Sequence, residues 1–112
     1  MALELDPATR AQDFRETNGR VLRTVNILRT DYTPVHDVIS AVMNQRPYLT
    51  EGNLRDSFNY LQLAGYVELQ YIKTKEPIKR IAQVNLHELE AILSVKGIRL
   101  LSGSETDPDV IV

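Results

Sequence analysis

The densest functional chemistry in this chain lies in Lys73-Thr74-Lys75-Glu76-Pro77-Ile78-Lys79-Arg80. Four of these eight side chains, Lys73, Lys75, Lys79 and Arg80, are cationic, and a proline breaks the run. Cations along a short loop suit phosphate oxygens, and each phosphate neutralised on duplex DNA steepens the salt dependence by nearly one unit of the log–log slope. A solvated loop is the alternative reading. The two histidines offer less. His36 stands beside Asp37, and His87 precedes Glu88 and Glu90, but neither forms a ligand spacing such as His-Glu-x-x-His. No metal site is expected there. The chain has no Gly-rich phosphate loop, no Gly-x-Ser-x-Gly and no acid pair that spacing would force together, so neither an enzyme nor a cofactor is expected. Cysteine is absent, which removes disulfides, thiolate metal sites and cysteine nucleophiles together.

The elements that must position the cationic loop begin with Leu49 to Val67, LTEGNLRDSFNYLQLAGYV. Thr50 is a good N-cap, and Glu51 places negative charge where the helix dipole favours it. At 100° per residue Leu54, Phe58, Leu61 and Gly65 share one face, while Gly52, Asp56, Asn59 and Leu63 fall opposite. Gly65 supplies a left-handed ending, after which Tyr66 to Ile72 changes to the period-two, aromatic and β-branched pattern of a strand.

Upstream, Asp6-Pro7 starts a helix whose second half carries Val21, Leu22, Val25 and Leu28 as an apolar stripe, and Asn18-Gly19 is expected to break it in two. Thr33-Pro34 reads as a cap followed by proline at the first helical position. Val35, Val38, Ile39, Val42 and Met43 continue that helix until Pro47 disfavours helical geometry at Arg46. Two helices joined this closely share one core, the helix-turn-helix arrangement. Downstream, Leu86 to Leu93 can form a returning strand with Leu89, Ala91 and Leu93 on one face. Ser94 caps a last helix, Val95 to Leu101, ending at Ser102-Gly103. Local pattern does not place Ile81 to Asn85.

With Leu61, Gly65, Tyr66 and Val67 in register, the helix-glycine-strand junction resembles the winged helix-turn-helix family. Leu93-Ser94-Val95-Lys96-Gly97-Ile98-Arg99-Leu100-Leu101 is similar to the segment that follows the wing in many winged-helix regulators. The likeness runs from about Asn18 to Gly103 and is closest to small ArsR-like winged-helix proteins of Mu-like phages and prophages, from which the longer wing departs. It implies a mainly α fold with a small β-hairpin: helices, a two-stranded antiparallel wing and a C-terminal helix. It also implies the domain division: an N-terminal arm at 1–17, the winged-helix domain at 18–103 and an acidic flexible tail at 104–112.

Function follows from the same resemblance. The family places the outer face of the second helix in the major groove, which here offers Asn53, Arg55, Asp56, Asn59 and Gln62, with the cationic loop on the backbone. Arg55 suits guanine, and Asn59 or Gln62 adenine, whereas the Asp56 carboxylate repels phosphate unless a cytosine amino group or a neighbouring arginine offsets it. Ordinary solvated helix residues are the alternative reading. The expected function is a sequence-specific transcriptional regulator of phage type, cytoplasmic, binding double-stranded DNA as a homodimer. The alternative is a winged-helix module that binds a protein and never DNA.

Charge divides these readings. The 112 residues carry a formal charge of −2 with 43% apolar content, enough for one domain and without the basic excess common in nucleic-acid binders. Yet residues 66–103 hold six bases (Lys73, Lys75, Lys79, Arg80, Lys96, Arg99) against four acids (Glu68, Glu76, Glu88, Glu90), while Glu105, Asp107 and Asp109 make the tail acidic. The protein-binding alternative rests on Asp56 and on Tyr60, Tyr66 and Tyr71, aromatics being enriched at interfaces. Dimerisation is expected through Ala8, Ala11 and Phe14 with Ile98, Leu100 and Leu101. No apolar run reaches the roughly 18 to 20 residues of a membrane span.

Overall fold

In the computed structural model, residues 6–28, 30–81 and 84–112 are described. Helix α1 spans Pro7–Val25 and leads into a 3-10 turn at Asn26–Leu28. Strand β1 (Thr33–Pro34), helix α2 (Val35–Gln45) and helix α3 (Glu51–Leu63) follow. Strands β2 (Val67–Tyr71) and β3 (Pro77–Ile78), a second 3-10 turn (Leu86–Glu88), strand β4 (Leu89–Leu93) and helix α4 (Val95–Ser102) complete a mixed α and β chain.

Helix α1 starts where Asp6 accepts the Thr9 amide at 2.8 Å and Pro7 occupies the first turn. It then runs through Gly19 without the expected break, so residues 7–17 continue the core helix and form no separate arm. Gly19 is needed for a close approach instead. A Cβ there would lie 1.7 Å from the carbonyl oxygen of Ile111. Asn18, fully buried, accepts from Ser57 Oγ at 2.7 Å and donates to the Asp109 carbonyl at 2.9 Å. The two residues that read as helix breakers are therefore the seat of the C-terminal segment.

That segment is not the free tail expected from its composition. Val110 is buried, and the Ile111 amide donates to the Arg15 carbonyl at 3.1 Å. Tyr60 and Tyr66 both donate to one carboxylate oxygen of Asp107, at 2.7 and 2.6 Å. Burial pushes the Tyr66 phenol up to about 12 and raises Tyr60 as well, reinforced by the Asp107 charge. Burial alone would raise Asp107, but hydrogen bonds from Tyr66, Tyr60 and the Asp109 amide, with the Lys96 charge, hold it below its ordinary value of 3.8.

The next two helices pack on α1. Pro34 sits at the N-cap of α2 rather than inside it, because Thr33 and Pro34 pair with Ala91 and Glu90 as β1. Val35, Val38, Ile39 and Val42 are buried. Arg46 ends α2 and ties the turn to α1 through Glu16 at 3.0 Å and Asp13 at 3.8 Å. Thr50 caps α3 as its sequence suggests, in a reciprocal capping box with Asn53. At the far end Tyr66 donates to Leu61 and Gly65 to Gln62, and Gly65 takes φ +85°, a Schellman ending that turns the chain into β2.

The sheet is larger than a two-stranded wing. Four antiparallel strands lie in the order β1-β4-β2-β3. Strands β2 and β4 pair from Val67↔Leu93 to Tyr71↔Leu89, and β3 folds back on the other edge of β2 with Leu69↔Ile78. Leu89, Ala91 and Leu93 are buried, as their alternation implies, but the strand begins only at Leu89, since Leu86 to Glu88 turn as a 3-10 helix. Ile81 and Leu86 plug the core between β3 and β4. Of the stretch that local pattern leaves unplaced, Ala82 and Gln83 lie outside the described residues. No helix among the described residues is long and apolar enough to cross a membrane.

Candidate nucleic-acid interface

The nine expected contact residues separate into those the fold uses internally and those it leaves outside. Asn53 closes the capping box, its Oδ1 accepting the Thr50 amide at 2.8 Å and its amide donating to Thr50 Oγ1 at 3.2 Å. Arg55 is half-buried and donates from Nη1 to the Val84 carbonyl at 2.9 Å. Gln62 donates through Nε2 to the carbonyl of Ile78. The carbonyls of Ile78 and Val84 thus lie against the side of α3 that carries Arg55 and Gln62, and hold both side chains. These two side chains do not stand free as base readers.

Asp56 and Asn59 remain exposed. With Phe14, Tyr60, Leu63 and Ala64 they line a shallow open groove of about 630 Å³ between α1 and α3. Phe14 meets Tyr60 edge-to-face at 5.6 Å, and Leu63 is 62% exposed, the one large apolar side chain of the groove left in solvent.

The cationic loop is the hairpin between β2 and β3 with the residues that leave it. Lys75, at φ 62° in the turn, pairs with Glu90 at 2.8 Å, and Gln70 donates to the same carboxylate oxygen, so its charge is largely matched. Lys73, Lys79 and Arg80 are exposed and have no ion-pair partner among the described residues. Of the four, Lys73 in the hairpin turn and Lys79 and Arg80, which follow β3 where it runs back along β2, remain without an ion-pair partner among the described residues.

The other surfaces are mostly taken up by the chain's own core. Leu100 is buried, Ile98 and Leu101 pack against the core, and Phe14 is half-buried on Tyr60, so the apolar surplus that suggested a dimer is mostly absorbed within one chain. Tyr66 is buried, and Tyr60 and Tyr71 pack on the core.

Sequence reasoning missed one cluster entirely. His36, from the first turn of α2, and His87, from the second 3-10 turn, approach Nδ1 to Nδ1 at 2.7 Å, and His87 Nε2 lies 3.1 Å from Glu51 of α3. Separations of 51 and 36 residues leave no local signal for it. No group of three or more His, Cys, Asp or Glu among the described residues is placed to hold a metal ion.

Comparison of the chain with protein-family models, with curated proteins and with solved structures finds no match in any of the three.

Proposed function

We propose that this chain is a winged-helix protein that binds double-stranded DNA, a regulator of phage or prophage type, with the β2–β3 hairpin as its wing. The observation that carries this reading is the group Lys73, Lys79 and Arg80, exposed and without counter-charges among the described residues. Side chains kept in water and unpaired give up little solvation or ion pairing when they meet phosphates, and the release of condensed counterions drives the association. The order α1, β1, α2, α3, β2, hairpin, β4 supports it, since it sets a helix-turn-helix pair beside the hairpin. Base reading falls to Asn59 and Asp56, because Arg55 and Gln62 serve the fold. Sequence preference is therefore modest, and phosphate contact supplies most of the affinity.

Fluorescence anisotropy with a random duplex, between about 50 and 200 mM salt, tests this. Replacing Lys73, Lys79 and Arg80 by Ala should flatten the log–log salt slope by up to about three units and weaken binding to all sequences alike. Absence of binding at the lower salt refutes the reading.

A second reading, a protein-binding module, is favoured by the groove beside α3, where Leu63 stands exposed between Asp56 and Phe14. It fits a partner protein presenting an apolar side chain next to a cation. Leu63→Glu separates the two readings: it should abolish capture of such a partner while leaving wing-dependent DNA binding intact.

A further inference from the structure

The contacts that hold residues 107–111 to the body are of two kinds. Some reach only the segment's backbone: Asn18 donates to the Asp109 carbonyl, Arg23 to the Ile111 carbonyl at 3.3 Å, and the Ile111 amide donates to Arg15. Any residue at 109 or 111 presents the same groups. Two contacts need particular side chains instead. The Asp107 carboxylate takes both tyrosine hydroxyls, and Val110, three positions on, is buried in the body. The seat therefore reads a carboxylate followed three residues later by a branched aliphatic side chain.

The segment makes its own shape. The Val110 amide donates to the Asp107 carbonyl at 3.1 Å, and the Asp109 amide to Asp107 Oδ1 at 2.8 Å, with Pro108 in the second position that such turns favour. A turn closed by its own hydrogen bonds loses little freedom when it docks, whichever chain carries it. Its tether lies on the surface. Gly103 ends α4 at φ +84° with open space where a Cβ would stand, Ser104 and Glu105 donate back to Arg99 of α4, and Ser104 and Thr106 are exposed. The turn can swing outward at Thr106 without disturbing α4.

We infer that the seat between α1 and α3 accepts this turn from a second copy of the chain, and that two copies exchange their C-terminal segments to form a dimer. The occupant is a second copy because the matching sequence, Asp-Pro-Asp-Val-Ile, is the chain's own, and every contact is reproduced across the exchange. Such an exchange needs no apolar surplus elsewhere on the surface. A short tether gives the segment an effective concentration of about 1 mM at its own seat, so wild-type copies stay single at micromolar levels and exchange appreciably only near that concentration. Contacts of this kind favour closure by about a hundredfold. A segment on a separate chain should therefore bind a vacant seat with a Kd on the order of 10 µM.

Two full-length variants test this, one with a blocked seat and one with a disabled segment. In Gly19→Ala the added Cβ collides with the Ile111 carbonyl, which leaves the segment unseated and available. In Asp107→Ala/Val110→Asp the seat is intact and its own segment cannot fill it. By light scattering at about 100 µM, each variant should be monomeric alone, and the equimolar mixture should approach twice the monomer mass. Gly19→Ala that also carries the two segment changes should not join the partner. Association of either variant alone, a mixture that stays monomeric, or equal pairing with the triple variant overturns the proposal. If circular dichroism shows that a variant has not folded, wild-type copies decide the matter. One population carrying labelled nitrogen and another carrying labelled carbon, mixed at about 1 mM, should show nuclear Overhauser contacts between the Asn18 side-chain amide of one copy and the Asp109 α-hydrogen of another. Their absence overturns the proposal. None of these measurements involves DNA, so the outcome is independent of the DNA-binding reading.

Discussion

Arg55 Nη1 lies 2.9 Å from the carbonyl oxygen of Val84, so the one cation within α3 is joined to the loop that leaves the hairpin. A guanidinium in that position closes the chain over its own helix. Its loss is a structural event before it is a binding event.

Arg55→Ala is expected to lower stability by about 1 kcal/mol, below the full value of a charged hydrogen bond because the side chain is partly solvated. Urea unfolding measures it. If the chain binds DNA, the variant should lose affinity equally on selected and random duplexes. A loss confined to a selected site would restore Arg55 as a base reader.

The C-terminal segment should be worth about 2 to 3 kcal/mol, from the buried Val110 and the hydrogen bonds around Asn18 and Asp107. Deleting residues 104–112 should therefore lower the unfolding midpoint clearly. Gly19→Ala should do similar damage in the full chain, where the new Cβ meets the Ile111 carbonyl. In the shortened chain the same change should stabilise by about 0.5 to 1 kcal/mol through helix propensity. An additive pair of effects would disconnect Gly19 from the segment.

How much was legible in the sequence can be judged from these same residues. Thr50, Gly65, Ser94 and Gly103 mark helix ends by chemistry confined to a few neighbours, and each stands at the helix end its type suggests. The alternation of Leu89, Ala91 and Leu93 likewise needs only a strand and one buried face. Asn18 and Gly19 read wrongly because their reason lies some 91 residues along the chain, in a carbonyl that tolerates no Cβ and another that takes an amide. Gln62 and Arg55 looked like free polar positions on a helix. Their partners, the carbonyls of Ile78 and Val84, lie 16 and 29 residues away and leave no local signal. The cationic loop was legible as composition, but not the pairing of Lys75 with Glu90 of β4.

The Asp107 contact makes a pH prediction with a fixed sign. Its carboxyl is held below the ordinary 3.8, so the folded chain binds fewer protons than the unfolded one in that range. The contribution is present above the ordinary value and is lost as pH falls through the lower, folded value. Tyr66, raised to about 12, contributes below its ordinary 10.0 and loses that contribution as pH rises towards 12. Asp107→Asn should flatten the acid limb of the stability curve, while Tyr66→Phe should flatten the alkaline limb and simplify the titration of tyrosinate absorbance.

Thr33 Oγ1 is shut from solvent and has no hydrogen-bond partner among the described residues. Thr33→Val keeps the shape and removes the orphaned hydroxyl, so it should raise stability by about 1 kcal/mol in urea unfolding. Unchanged or lower stability would mean that the hydroxyl is satisfied in solution, by water for instance.

Both outer strands of the sheet are two residues long and each contains a proline, Pro34 in β1 and Pro77 in β3. A proline offers no amide to an incoming chain, and so short a ribbon presents few free groups to template one. Both flanks of the sheet therefore offer few free backbone groups along their outermost strands. Edge-to-edge pairing of copies, the step that starts fibrillar self-association, is disfavoured by this arrangement.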